Sequence, residues 1–109
     1  MGEIKQIVDA LTEFRNDREW EQFHNPKDLA IAISVEAGEL LELFLWKDPA
    51  EANKEKVKEE LADIFAFAFL LAEKYGFDAK QIILDKIERN GEKYPVEKAK
   101  GNAKKYNEL

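Results

Sequence analysis

Apolar residues recur along this chain at three- and four-residue steps, not at every second position. Ile4, Ile7, Val8, Leu11 and Phe14 form one such stripe, the signature of an amphipathic helix. Asn16-Asp17-Arg18 interrupts it, and Trp20-Glu21-Gln22-Phe23-His24 follows as an aromatic-rich linker. Asn25-Pro26-Lys27-Asp28 then signals a helix start, with Asn25 as cap, Pro26 at the first helical position and Asp28 in the first turn. This second helix is expected to reach Trp46 or Lys47, where Asp48-Pro49 repeats the cap-and-proline signal. A third helix is expected from there to about Tyr75, with a break near Asn53, and Gly76 is placed to end it. Asp78 caps a fourth helix to roughly Asn90, which Gly91 ends, and Tyr94-Pro95 opens a polar tail containing Lys104-Lys105-Tyr106. Strand alternation, internal repeats and low-complexity linkers are absent from the sequence. The expected fold is an all-α four-helix bundle in a single domain spanning residues 1–109.

The second and third helices share an anomaly. Each carries two carboxylates three residues apart, Glu36 and Glu39 on one, Glu60 and Asp63 on the other. On a helical projection Leu29, Ala32, Leu40 and Leu43 lie within about 40° of Glu36, and Glu39 lies about 60° away. Ile64, Phe67 and Leu71 lie within about 40° of Glu60, and Asp63 is again about 60° away. Both pairs therefore point to the core side. Burying a lone carboxylate is costly, and four together repel. A hard cation between the two helices, Mg²⁺ or Mn²⁺, turns that liability into a ligand set. Partly exposed edge charge paired with Lys or Arg would explain one such pair better than two with identical spacing. Glu42, Glu51, Glu55 and Glu59 alternate with lysines or leave the stripe, and read as solvated charge.

Composition narrows the chemistry. The chain has 109 residues and no Cys, so disulfides and thiolate chemistry are excluded; its one His rules out a multi-imidazole site within a chain. The formal net charge of −6 argues against a broad basic face for nucleic acid. A polyphosphate can still bind an acidic protein through a cation. The longest nearly uncharged run, Ile64 to Ala72, is too short to span a bilayer, and the charged first residues do not read as a signal peptide. A soluble cytoplasmic protein without membrane or nucleic-acid partners is expected.

Trp20, His24 and Trp46 form a second group, able to stack and hydrogen-bond a nucleobase, with core or interface anchoring as the plainer role of both tryptophans. If the second helix includes Trp46, that residue lies about 80° from Glu36, near the acidic side. Lys86 and Asn90, four apart on the fourth helix, share a face. Lys suits phosphate and Asn suits a base or sugar, although spacing alone favours ordinary surface residues.

The two acidic pairs on consecutive helices resemble the MazG-like, all-α nucleoside triphosphate pyrophosphohydrolases. The likeness extends to the dCTP pyrophosphatase branch through WEQFH, the LFLW ending and KIERNGEKYP, and covers nearly the whole chain from Trp20 onward. The resemblance implies that Glu36, Glu39, Glu60 and Asp63 bind Mg²⁺. It also implies that Trp20, His24 and Trp46 form a base pocket and that Lys86 and Asn90 contact the nucleotide. It further implies dimers, often paired into tetramers, with sites completed by neighbouring chains. One departure stands out: Phe67 occupies the position where the eukaryotic dCTP enzymes carry Tyr, removing a hydroxyl available to sugar or phosphate.

The implied reaction is Mg²⁺-dependent hydrolysis of dCTP or a modified dCTP to monophosphate and pyrophosphate, with Glu39, and next Glu36, as candidates to orient the attacking water. The same reaction on dUTP or a broad range of triphosphates is the nearest alternative. A non-catalytic helical dimerisation module is the alternative from another class, and divalent-ion binding separates the two. A di-iron bundle needs two E-x-x-H motifs, which this sequence does not contain. An oligomer is expected on physical grounds too. Phe65 and Phe69 lie on the side of the third helix away from Glu60, so that helix is apolar all round and needs cover on every side.

Overall fold

A computed structural model describes residues 2–109. Five α-helices succeed one another: α1 (Glu3–Asp17), α2 (Pro26–Glu42), α3 (Lys54–Lys74), α4 (Ala79–Lys93) and the short α5 (Val96–Ala99). Three single 3₁₀ turns, Trp20–Phe23, Pro49–Glu51 and Tyr106–Glu108, lie between and after them, and no strand occurs among the described residues. The all-α expectation holds, and the short α5 adds a fifth helix to the four expected.

The caps explain most boundaries. Asn25 Oδ1 accepts from the backbone N–H of Asp28 at 2.8 Å, with Pro26 behind it at the first helical position. Asp78 Oδ1 accepts from Gln81 N–H at 3.0 Å and starts α4. Gly76, at φ 70, ends α3: its N–H reaches Glu73 O at 3.0 Å and Phe77 N–H reaches Ala72 O at 2.9 Å, the paired bonds of a Schellman cap.

Three boundaries differ from expectation. First, α2 stops at Glu42, and the chain tightens through i→i+3 bonds from Leu43 to Lys47. Trp46 is therefore not on α2; it sits at φ 60 with 94% of its surface exposed. Second, Asn53 starts α3 and does not break it, because its side chain accepts from both Glu55 and Lys56 N–H. Asp48-Pro49 begins only the 3₁₀ turn. Third, α4 passes through Gly91 to Lys93. Pro95 does the stopping, since the residue before a proline avoids the helical region, and Tyr94 has φ −126 and ψ 69.

The chain forms two compact units, Met1–Phe77 and Asp78–Leu109. In the first, α2 packs along α3, and α1 packs on α3 and on the Trp20–Phe23 turn. Leu29, Leu70 and Ala72 are buried, together with one charged residue, Arg15. Ile7, Leu61 and Phe65 remain exposed along the outer sides of α1 and α3. Together with Leu11, Ala62, Ala66 and Phe69 they edge shallow apolar grooves of about 380 and 390 Å³. No described helix is long and apolar enough to cross a membrane.

Candidate active site

The α2–α3 packing brings the two acidic motifs together. Oxygens of Glu36, Glu60 and Asp63 all lie within 4.8 Å of one another. Glu36 and Glu60 are half-buried, as their place in the middle of an apolar stripe requires, whereas Glu39 and Asp63 are exposed. The expectation that both members of each pair point inward is thus corrected. A step of three residues moves the second carboxylate to the edge of the stripe, where it meets water.

Glu39 lies outside that three-residue group but crowds Glu36 from one turn away. The Glu36 carboxyl is pushed up to about 7, chiefly by the neighbouring Glu60 carboxyl, then by burial, then by the Glu39 carboxyl one turn away. Glu36 Oε2 and Glu60 Oε2 are buried without a hydrogen-bond partner in the protein. Buried polar atoms are ordinarily satisfied, so two orphaned carboxylate oxygens beside a third carboxylate ask for a cation. All-oxygen, anionic donors fit a hard divalent ion. Because a Glu36 carboxyl raised to about 7 must lose its proton to bind a cation, divalent-ion affinity is expected to rise with pH up to about 7 and level off above it. Calorimetry of Mg²⁺ or Mn²⁺ binding in buffers of different ionisation enthalpy checks this; binding without proton release, or affinity flat from pH 5.5 to 7.5, would contradict it.

An aromatic pocket of about 380 Å³ adjoins the acidic group. Trp20, His24 and Phe67 line it with Phe14, Arg15 and Asp63, so Asp63 belongs to both features. The rings meet mainly edge-on: Phe14 and Trp20 at 5.8 Å between centroids, His24 and Phe67 at 6.4 Å. His24 Nδ1 is buried without a partner. Burial, then the charges of Arg15 and Lys74, lower the His24 pKa and favour the neutral ring, which both donates and accepts. Phe67 supplies an edge against His24 and no hydroxyl.

Trp20 and His24 thus come together with the acidic cluster. Trp46 does not line this pocket. Lys86 and Asn90 are exposed on α4, in the second unit, one turn apart on one face. Arg15 was missed. It lies four residues after Leu11 and seven after Val8, on the apolar stripe of α1. A charge inside a stripe is the signal that drew attention to Glu36 and Glu60, and it applied here too.

The sequence profile of the MazG-like family matches residues 31–109. The dCTP pyrophosphatase 1 of Rattus norvegicus is 39% identical over 97% of this chain and 67% of its own length. The chain belongs to the MazG-like family. The human dCTP pyrophosphatase 1 is 36% identical over the same shares. A pyrophosphatase from Archaeoglobus fulgidus DSM 4304 superposes with a TM-score of 0.81 at 34% identity, over 87% of this chain and 94% of that one.

Proposed function

We propose that this MazG-like protein hydrolyses a pyrimidine deoxynucleoside triphosphate, dCTP or a modified dCTP first, to its monophosphate and pyrophosphate with the help of Mg²⁺. The protein is an enzyme, a nucleoside triphosphate pyrophosphohydrolase. The observation that carries the substrate reading is the sharing of Asp63 between a carboxylate cluster with two buried partnerless oxygens and an aromatic pocket. A molecule with a polyphosphate at one end and a flat polar ring at the other fits that pairing.

Glu36, Glu60 and Asp63, with Glu39 beside them, are the residues to hold the metal, which when bound neutralises phosphate charge and acidifies a water. Glu39 is the exposed member of its pair, free to orient the attacking water and accept its proton. Trp20 and His24 stack and hydrogen-bond the base. Phe67 keeps that wall apolar. Trp46, Lys86 and Asn90 are assigned to the nucleotide by resemblance: an exposed ring for stacking, a cation for phosphate, an amide for base or sugar. We read residues 1–109 as one catalytic domain acting in the cytoplasm on the nucleotide pool. A homo-oligomer, dimer or tetramer, covers the exposed apolar grooves of α1 and α3.

The test is a panel of deoxy- and ribonucleoside triphosphates with Mg²⁺, read by phosphorus NMR. Monophosphate plus pyrophosphate is expected, with a cytosine deoxynucleotide preferred. A diphosphate plus free phosphate would place cleavage at the other bond and overturn the assignment.

A further inference from the structure

The Trp20–Phe23 turn begins with one wall of the aromatic pocket, Trp20, and is followed directly by another, His24. Within the turn, Gln22 Nε2 donates to Glu19 O at 2.9 Å and His24 N–H to Glu21 O at 3.0 Å; these bonds shape the turn but do not tie it to the helices. The turn is four residues long and no side chain caps it. Glu19, just before it, has φ 54, in the left-handed region that disfavours residues other than glycine. Its position must come from outside.

Beside the edge-on packing of Phe14 of α1 on Trp20, two charged contacts tie the turn to α1 and α3, and a third holds Arg15. Lys74 Nζ, at the end of α3, donates to Glu21 Oε1 at 3.1 Å. Arg15 Nη2, on α1, stands 3.8 Å from Glu21 Oε2. Arg15 Nη1 in turn donates to Glu73 Oε2 at 3.1 Å, on α3. The side chain of Arg15 is only 5% exposed and that of Lys74 21%, so Glu21 meets two cations that are themselves held. Lys74 first, and Arg15 after it, keep the Glu21 carboxyl below the usual range and therefore charged at working pH.

We propose that Arg15 and Lys74 clasp Glu21 and so fix the Trp20–Phe23 turn against α1 and α3, making the three of them positioning residues for base recognition. This rests on reading the aromatic pocket as the base site. The clasp acts on the wall of that pocket and not on the phosphates, so it governs binding and leaves the chemical step alone. The Glu21 carboxylate is itself largely exposed, so neutralising it strands no buried acceptor and leaves the α2–α3 packing intact.

Glu21→Gln is expected to raise KM for the preferred triphosphate roughly three- to tenfold, with kcat within about twofold and the unfolding temperature nearly unchanged. Lys74→Met should act alike, Lys74→Arg should keep the wild-type KM, and the double variant Glu21→Gln/Lys74→Met should be no worse than either single change. A second readout needs no substrate. In a Trp46→Phe background the remaining fluorescence reports Trp20, and rising salt should shift it in the otherwise wild-type protein but not with Glu21→Gln, where the clasp is already open. Unchanged KM with Glu21→Gln, or additive effects in the double variant, would overturn the proposal. So would salt-independent Trp20 emission that Glu21→Gln leaves in place. A wild-type protein inert toward every triphosphate would defeat the enzymatic reading instead, and the fluorescence would still decide whether the clasp holds the turn.

Discussion

Glu36→Gln and Glu60→Gln are each expected to cut triphosphate hydrolysis by about 100-fold or more, since even outer partners of a metal site commonly cost 10–100-fold. The metal-free fold should not suffer. Glu36 is the reason: its folded-state carboxyl is pushed up to about 7 from the ordinary 4.5. A carboxyl raised in the folded state contributes stability that is complete below about pH 4.5 and is lost as pH climbs through about 7. Glutamine removes that pH-dependent loss and lessens the crowding among the carboxylates. Metal-free Glu36→Gln should therefore unfold no earlier than the wild type at pH 7.5, while Mg²⁺ stabilises the wild type alone. Melting curves with and without Mg²⁺, alongside initial rates, check both halves. Retained activity, or a variant that is markedly less stable without metal, would mean that these carboxylates serve the fold and not the reaction.

Phe65→Lys is expected to break the assembly. In a single chain Phe65 is 58% exposed, and a charge at such a site ordinarily changes stability by no more than about 0.5 kcal/mol. In an oligomer built on the α1–α3 grooves the same ring lies in the interface core, where loss of an anchor costs about 2 kcal/mol or more. The expected results are a smaller particle by light scattering, unfolding at lower denaturant, and loss of the concentration dependence that an obligate oligomer shows. Activity should fall with the assembly if neighbouring chains complete each site. Wild-type size and activity in Phe65→Lys would show that this face is simply open to water.

The sequence revealed most where a local rule and a packing rule agreed. Asn25 with Pro26, Asp78, and Gly76 each act through bonds within a few residues, so their effects were legible at once. Glu36 and Glu60 were legible because a carboxylate at the centre of an apolar stripe has few ways to be satisfied. The misread boundaries had competing signals. Gly91 suggests an end only if a left-handed residue is needed there, and Pro95 had already set the stop four residues on. Leu43 to Trp46 contains no breaker and continues the apolar pattern, so nothing local announced that α2 ends at Glu42. Asp63 and Glu39 were placed too deep because a projection assigns angles and not exposure. The aromatic pocket was only partly foreseen: Trp20 and His24 are near in sequence, but Phe67 and Asp63 join them through the packing of α3.

Trp46 carries a consequence for how this protein balances durability against work. It is an indole held 94% in solvent on a backbone with φ 60, a conformation that costs a residue other than glycine about 1–2 kcal/mol. Glycine would take the same backbone shape without that crowding, and the ring makes no burial whose loss would offset the gain. The fold by itself is thus better served by a smaller residue. A lone, unliganded chain carries the cost of an unfavourable backbone and a bare apolar surface, and a nucleotide or a neighbouring subunit that covers the ring would offset it. Stabilising the chain by relaxing this position and keeping its ring available are opposed aims. A programme that selected variants for heat resistance alone would be drawn to replace Trp46 early.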